Sequence, residues 1–378
     1  MRPGFVPRVA ALYAAVFLYN GIQLPFLPVW FAAKQVDPAL IGLMVAVPML
    51  ARILSVSIVA READRRDAVR AAIVLAGWAS AVCHIFVGLS SGSLAILIAY
   101  TIASFTFTPL LPLTETYTLK GLAERGRAYG PVRLWGSFAF IAGNFLGGFL
   151  LDAMPARDLI WPIVGTVGLT ALAASLLQPQ RISRAEMRES DAPLWRDRGF
   201  VAMLIGASLI QASHSIYYIF SALQWRGEGL PGGAIAALWA LGVIAEIILF
   251  ALSGRLNFSP TTYLLIGAAG AVLRWGAMAV NPAVLALPLL QLLHGLSFGA
   301  THLGAITYVA QRAAAAQAAT AQGHLSIAIS AAGGGAAAVT GLLYSNFGIE
   351  SYAFMALMAV AGGACGFVAH RRAAIALV

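Results

Sequence analysis

The sequence is dominated by a series of long apolar runs, each close to the ~20 residues that an α-helix needs to cross a bilayer. The breaks between the runs carry prolines, glycines or charged residues. This pattern predicts an all-α membrane protein with twelve transmembrane helices. The predicted spans are 9–32, 38–60, 69–89, 92–119, 131–152, 158–178, 199–223, 232–254, 261–280, 283–310, 322–345 and 349–370.

The composition supports a membrane location. Only 10% of the residues are charged and 60% are hydrophobic, whereas a soluble protein carries about 25% charged residues. A chain this apolar has no solvated face for DNA, so we attribute the net charge of +9 to cytoplasmic loops and predict no nucleic-acid partner. The two cysteines, Cys83 and Cys365, lie inside apolar runs and predict neither a disulfide framework nor a metal site.

Lysine and arginine residues are concentrated on one side of the predicted spans. When the N-terminus is placed in the cytoplasm, the outer loops hold only Lys34, Arg157 and Arg226. By the positive-inside rule, both termini then lie in the cytoplasm, and we expect a bacterial-type inner membrane. The apolar run that begins near the N-terminus has no small-residue cleavage site, so we interpret it as the first span rather than a signal peptide.

The charged segment 179–198 is predicted to be a cytoplasmic linker between two six-helix halves, 1–178 and 199–378. The halves resemble each other weakly: residues 51–66 align with 245–260, and each copy carries a charge early in the run and an arginine near the end of the span. Parallel repeats of this kind are typical of transporters whose substrate site lies near the bilayer midplane.

The loop after the second span resembles a motif of the major facilitator superfamily. Its residues are Ala60-Arg61-Glu62-Ala63-Asp64-Arg65-Arg66, a small residue followed by an acid and bases at the family spacing. In that family, charge contacts of this loop gate the cytoplasmic side. The resemblance therefore implies that Arg61, Asp64 and Arg65 form a cytoplasmic gate, and that the chain folds as two pseudo-symmetric six-helix bundles.

Three runs carry a narrower resemblance. The stretches PLLPLTE (109–115), YGPVRLWGS (129–137) and HGLSFGATHLGA (294–305) are similar to the phenylpropionate permease group, a family of proton symporters. That group is in turn similar to lactose permease and to nucleoside symporters. The resemblance implies secondary transport by alternating access, with no cofactor and with the substrate and protons as partners.

Glu115 and Arg133 are the central candidates for substrate binding. The two residues lie in neighbouring predicted membrane helices that are joined by one loop. Charged residues inside a membrane are rare unless they are paired or functional. Arg133 could bind an anionic or hydroxylated group with Glu115 as its partner, or the two could form a purely structural ion pair. Further polar or aromatic candidates for the substrate site are Trp135, Asn20, Gln23 and Tyr217.

Glu246, Arg274 and His294 resemble the acid, arginine and histidine relay of lactose permease, which implies proton coupling. One departure is Ser297, which stands where that permease has a carboxylate, so the proton must bind elsewhere or coupling is absent. The alternative is a fixed Glu246–Arg274 pair that joins two helices. Arg52 and His302 are further coupling candidates, although Arg52 could also reach the membrane rim and His302 could bond a neighbouring helix.

We therefore predict a monomeric secondary transporter in a lipid bilayer. The favoured function is proton-coupled symport of a small organic substrate such as an aromatic carboxylate. The alternatives are a sugar or nucleoside proton symporter, a drug or metabolite exporter, and a membrane sensor that transports nothing. An enzyme is not expected, because the sequence contains no nucleotide-binding motif, nucleophile constellation or metal set.

Overall fold

The computed structural model describes residues 4–179, 196–256, 258–312 and 318–375, without the side chains of Asp64, 318–320 and 373–375. Most of the predicted linker, 180–195, lies outside this part. All regular structure within it is helical. The α-helices are α1 (Phe5–Ala33), α2 (Pro38–Arg65), α3 (Val69–Leu89), α4 (Ser93–Phe107), α5 (Leu110–Ala123), α6 (Gly130–Ala153), α7 (Ile160–Ser175), α8 (Arg198–Ala212), α9 (Ser215–Gly227), α10 (Gly232–Leu256), α11 (Pro260–Ala279), α12 (Leu287–Leu292), α13 (Thr301–Arg312), α14 (Ala318–Phe347) and α15 (Tyr352–Ile375).

Eleven stretches of the described chain are long and apolar enough to cross a membrane. The last stretch, Ala321–Arg372, has 52 residues and contains a 3-10 turn at Gly348–Ser351, so it covers the last two predicted spans. Each of the other stretches corresponds to one predicted span. The prediction of an all-α membrane protein is confirmed, and the order of helices agrees with twelve spans.

Three predicted spans are each built from more than one helix. The fourth span divides between α4 and α5 at Pro109, whose ring nitrogen has no hydrogen to donate within a helix. The seventh divides between α8 and α9, where the Ser213 hydroxyl and the His214 ring both bond the carbonyl oxygen of Ile210, at 2.7 and 3.1 Å. The tenth consists of α12, a π-helical turn at Gly295–Ala300 and α13. Such π-helical turns frequently occur at functional sites.

The described chain forms two compact units. The first unit contains 4–179 together with Ile219–Ala237, and the second contains 196–218 and the residues from Leu238 onward. The end of α9 and the start of α10 therefore group with the first unit, although both lie in the predicted half 199–378. The predicted half boundaries stay a prediction.

The helix pairs inside the two units repeat. In the first unit α3 packs on α7 and α4, and α1 packs on α6 and α7. In the second unit α11 packs on α15 and α13, and α8 packs on α14 and α15. These are equivalent pairs when the spans are numbered within each half, so the weak internal repeat of the sequence corresponds to a repeated packing arrangement.

Close backbone contact between α1 and α6 depends on two glycines. A Cβ atom added at Gly21 would lie 2.3 Å from the carbonyl oxygen of Phe140, and one at Gly143 would lie 2.5 Å from that of Leu18. Small residues of this kind let membrane helices pack by van der Waals contact, because lipid supplies no hydrophobic drive for helix association. The pairing of α1 with α6 fixes the position of Arg133 relative to α1.

A second contact of the first unit involves Asp152 at the end of α6. Its carboxylate accepts hydrogen bonds from Arg226 Nη1 at 2.6 Å and from the backbone N–H of Gly232 at 3.0 Å. Gly232 begins α10, so the carboxylate caps the positive end of that helix from a different segment of the chain.

Candidate functional site

Three charged side chains of the first unit form what we call the first-unit charge cluster: Arg52 on α2, Glu115 on α5 and Arg133 on α6. Glu115 interacts electrostatically with both arginines. No ion pair closes between them, because no Glu115 oxygen lies within 4.0 Å of a nitrogen of either arginine. The structure thus brings together the predicted pair Glu115 and Arg133, and it adds Arg52.

Arg133 is held by aromatic rings. Its guanidinium carbon lies 4.1 Å from the centre of the Phe17 ring and 6.0 Å from that of Tyr13. Within the described part of the chain, Arg133 has no hydrogen-bond partner. The Tyr13 hydroxyl in turn lies 3.4 Å from that of Tyr129, one turn before Arg133. The guanidinium is therefore half-buried on a ring face with its N–H groups available.

The other predicted substrate residues of the first unit have different surroundings. Asn20 donates a hydrogen bond to the carbonyl oxygen of Val16 at 2.8 Å, and Gln23 donates one to the Tyr100 hydroxyl at 2.7 Å. The Trp135 side chain is 57% exposed, and it is not one of the rings over which Arg133 lies. The predicted roles of these three residues stay predictions.

The second unit contains a cluster of Glu246, Arg274, Gln291 and His294, which we call the second-unit charge cluster. Arg274 on α11 is completely buried. It lies between ring faces, 4.4 Å from the centre of Tyr217 and 4.5 Å from that of Trp275. It donates to His294 Nδ1 at 2.8 Å and to the amide oxygen of Gln291. Tyr217 thus contacts Arg274.

The hydrogen bond from Arg274 fixes the tautomer of His294. A guanidinium can only donate, so Nδ1 of His294 must accept, and a neutral ring then carries its proton on Nε2. That Nε2 faces Glu246, with 4.0 Å between Nε2 and Oε2. The imidazole therefore connects a carboxylate on α10 to a buried guanidinium on α11.

Glycines on both elements bring Glu246 close to His294. A Cβ atom at Gly295 would lie 2.8 Å from the carbonyl oxygen of Ala245, and one at Gly242 would lie 3.2 Å from the Cβ of His294. The π-helical turn begins at Gly295, directly after His294. The direct approach of the π-helical turn to α10 places the predicted acid and histidine side by side.

His302 continues a column of rings rather than a hydrogen-bonded relay. Its ring stacks on Phe298, with centres 6.0 Å apart, and Phe298 stacks on His294, with centres 5.1 Å apart. The role of His302 in coupling stays a prediction.

Ser297 and His214 form a hydrogen-bonded pair that is not predicted from the sequence. His214 bonds main-chain oxygens through Nδ1, so its Nε2 accepts from the Ser297 hydroxyl at 3.1 Å. Both side chains are completely buried. The position where lactose permease has a carboxylate is thus occupied here by a neutral hydrogen bond, which leaves Glu246 as the acid of the second-unit charge cluster.

Phe17 is a residue around the clusters that sequence reasoning missed, because it contacts Arg133 from another helix and no local spacing signals that contact. Gln291 is a polar candidate from the sequence, and the structure places it in contact with Arg274. The predicted loop after the second span begins inside the helix, because α2 continues to Arg65. Glu62 accepts a hydrogen bond from Arg65 at 2.9 Å and also pairs with Arg66, while Arg61 is exposed. The side chain of Asp64 lies outside the described part, so the predicted gate of Arg61, Asp64 and Arg65 stays a prediction.

Comparison with known proteins gives consistent matches. The sequence model of the MFS_1 like family matches residues 8–356. The probable 3-phenylpropionic acid transporter of Escherichia coli (strain K12) is 33% identical over 367 residues, which cover 92% of this chain and 93% of that protein. The maltose permease of Geobacillus stearothermophilus is 25% identical over 309 residues, covering 78% of this chain and 76% of that protein.

The fold also matches solved structures. The crystal structure of the nucleoside transporter NupG superposes with a TM-score of 0.80 at 17% sequence identity, and the match covers 98% of this chain and 99% of that one. At this identity the similarity concerns the fold.

Proposed function

Because this chain belongs to the MFS_1 like family and is a transporter of the major facilitator superfamily rather than an enzyme, we propose that it carries a small organic anion together with a proton. The substrate class that we favour is an aromatic monocarboxylate. Transport proceeds by alternating access, in which the site opens to one side of the membrane at a time.

The observation that carries this proposal is the first-unit charge cluster, in which Glu115 forms no ion pair with either arginine. Two arginines surround one glutamate, so the cluster carries a net positive charge inside a membrane protein. Neither guanidinium has a hydrogen-bond partner among the described residues. An arginine fork matches a carboxylate in two parallel hydrogen bonds. A monoanion would therefore both neutralise the cluster and satisfy these donors.

The aromatic part of the proposal is supported by the surroundings of Arg133 and by one relative. Phe17 and Tyr13 lie beside the guanidinium, and ring-bearing ligands pack well against such faces. The relative with 33% identity is a probable 3-phenylpropionic acid transporter. Arg133 would bind the carboxylate of such a substrate, and the rings beside it would pack against the aromatic part.

Proton coupling is assigned to Glu246. When Glu246 is ionised, its charge favours the Nε2–H of His294 and strengthens Nδ1 as an acceptor for Arg274. Protonation of Glu246 removes that support and changes the hydrogen bonding of a completely buried guanidinium. Coupling then requires that Glu246 bind its proton with different affinity in the two transport states, since only differential binding biases an equilibrium.

The proposal is tested by proton movement into proteoliposomes that contain an internal pH dye. We expect 3-phenylpropionate, but not lactose or uridine, to acidify the lumen, and we expect Glu246→Gln to abolish the signal because the variant cannot release a proton. Glu228→Gln is the matched control, since Glu228 is an exposed acid outside both clusters. Exchange of radiolabelled 3-phenylpropionate should persist in Glu246→Gln.

Other outcomes separate the alternatives. Substrate exchange without any pH change in the wild type would refute proton coupling. Acidification by lactose or uridine alone would refute the carboxylate and favour a sugar or nucleoside symporter, for which the amides of Asn20 and Gln23 offer hydrogen bonds to hydroxyl groups. Gene-dependent efflux from cells would instead indicate an exporter.

A further inference from the structure

Glu115 and Arg133 do not form the ion pair that their chemistry favours. Opposite charges attract strongly in a medium of low dielectric constant, and both side chains lie on membrane-spanning helices of one unit. Their electrostatic interaction is present, yet no oxygen–nitrogen distance falls within 4.0 Å. Some other contact must hold the guanidinium in its place.

That contact is the ring of Phe17 on α1. The guanidinium carbon of Arg133 lies 4.1 Å from the ring centre, which is within the range of a cation–π interaction. This contact uses no N–H donor of Arg133, whose guanidinium has no hydrogen-bond partner among the described residues. A carboxylate could therefore accept hydrogen bonds from Arg133 while the contact with Phe17 is kept.

The space for this stack is provided by Gly136, one turn after Arg133. A Cβ atom at Gly136 would lie 2.8 Å from Arg133 Nη1 and 2.9 Å from Cδ2 of Phe17. A larger residue at this position would therefore require the guanidinium or the ring to shift. Gly136, the glycine of the VRLWGS run, thus leaves room for the contact between Arg133 and Phe17.

We propose that Phe17 and Gly136 are positioning residues that hold the Arg133 guanidinium away from Glu115 and so keep it open for the substrate carboxylate. This inference rests on the proposed function for its ligand, but the placement of Arg133 can be tested without one. Without the stack, Arg133 moves onto Glu115 and its donors are no longer available to a ligand.

The first test measures the affinity of purified protein in nanodiscs for 3-phenylpropionate. We expect Phe17→Leu to weaken binding about tenfold, because loss of a partly desolvated cation–π contact has an effect of that order. Phe17→Tyr should retain binding, and Gly136→Ala should weaken it as Phe17→Leu does. Phe138→Leu is the matched control, since Phe138 is an exposed phenylalanine on α6 and is not one of the rings over which Arg133 lies.

The decisive comparison repeats Phe17→Leu in a Glu115→Gln background. The neutral amide of that background cannot capture the guanidinium by charge, so there we expect Phe17→Leu to change the affinity at most about twofold, a non-additive double-mutant cycle. An equal loss in both backgrounds, or a loss in Phe17→Tyr as large as that in Phe17→Leu, would overturn the proposal and leave Phe17 with a packing role only.

A ligand-free measurement separates this inference from the proposed function. The rate at which phenylglyoxal modifies Arg133, followed by peptide mass spectrometry, should fall in Phe17→Leu and recover in Phe17→Leu/Glu115→Gln. That pattern would support the positioning role even if the wild type bound no carboxylate, which would refute only the proposed function. Unchanged modification in Phe17→Leu would refute the positioning role even if 3-phenylpropionate bound.

Discussion

At the scale of single residues, the donor and acceptor capacity of a side chain determines what it can do. Arg274 has only donors, so its bond to His294 fixes that ring as a neutral tautomer with Nε2–H toward Glu246. His214 is fixed in the opposite tautomer, because its Nδ1 faces main-chain oxygens. The two histidines therefore play different roles although both are buried beside Arg274.

This difference predicts the behaviour of two substitutions at His294. His294→Asn keeps an acceptor near the position of Nδ1 but removes the donor that faces Glu246. We expect radiolabelled substrate exchange to persist while proton-driven accumulation in proteoliposomes falls about tenfold or more, an effect equivalent to about 1.4 kcal/mol of lost coupling.

His294→Gln provides the contrast, because its amide nitrogen lies near the position of Nε2 and leaves Arg274 without its acceptor. We expect this variant to unfold at a lower temperature than His294→Asn, since a buried guanidinium loses one hydrogen bond. Equal stability and equal accumulation in the two variants would contradict the tautomer assignment.

At the scale of helices, interruptions and glycines determine which side chains meet. The π-helical turn at Gly295–Ala300 follows His294, and the break between α8 and α9 occurs at His214. Both interruptions therefore coincide with residues of the second-unit charge cluster or its neighbours. In the first unit, the tight contact of α1 with α6 brings Phe17 to Arg133.

The contact of α1 with α6 gives a prediction for stability. We expect Gly21→Ala to destabilise the protein by about 1–3 kcal/mol, because the added methyl group would meet the carbonyl oxygen of Phe140 at 2.3 Å. Thermal unfolding in detergent would detect this loss. Gly168→Ala on α7 is the matched control, since no atom lies within 4 Å of its added Cβ and alanine favours helix there. A smaller effect at Gly21 than at Gly168 would contradict the packing argument.

At the scale of the whole molecule, the internal repeat and the distribution of charged loops describe a transporter with two related units. The same helix pairs pack in each unit, while the charges differ: the first unit carries two arginines around one acid, and the second carries a buried arginine linked to an acid through a histidine. Under the proposed function, the first unit binds the anion and the second unit binds the proton.

The orientation predicted from the loops can be tested directly. In a variant without Cys83 and Cys365, we expect a membrane-impermeant maleimide to label Ser91→Cys in intact cells but Arg127→Cys only after the membrane is opened. The physical reason is the excess of lysine and arginine in the loop that contains Arg127. Labelling of Arg127→Cys in intact cells would reverse the assignment of both termini.

The sequence by itself determined the membrane fold, because twenty-residue apolar runs and rare intramembrane charges are local features that lipid selects strongly. It also identified candidate residues for substrate binding or proton coupling, namely Glu115, Arg133, Glu246, Arg274 and His294. Only the tertiary structure decided how these side chains meet, since contacts such as Phe17 with Arg133 and Gln291 with Arg274 join different helices. Local spacing carries no information on those distances. They depend on glycine contacts between helices and on the π-helical turn after His294.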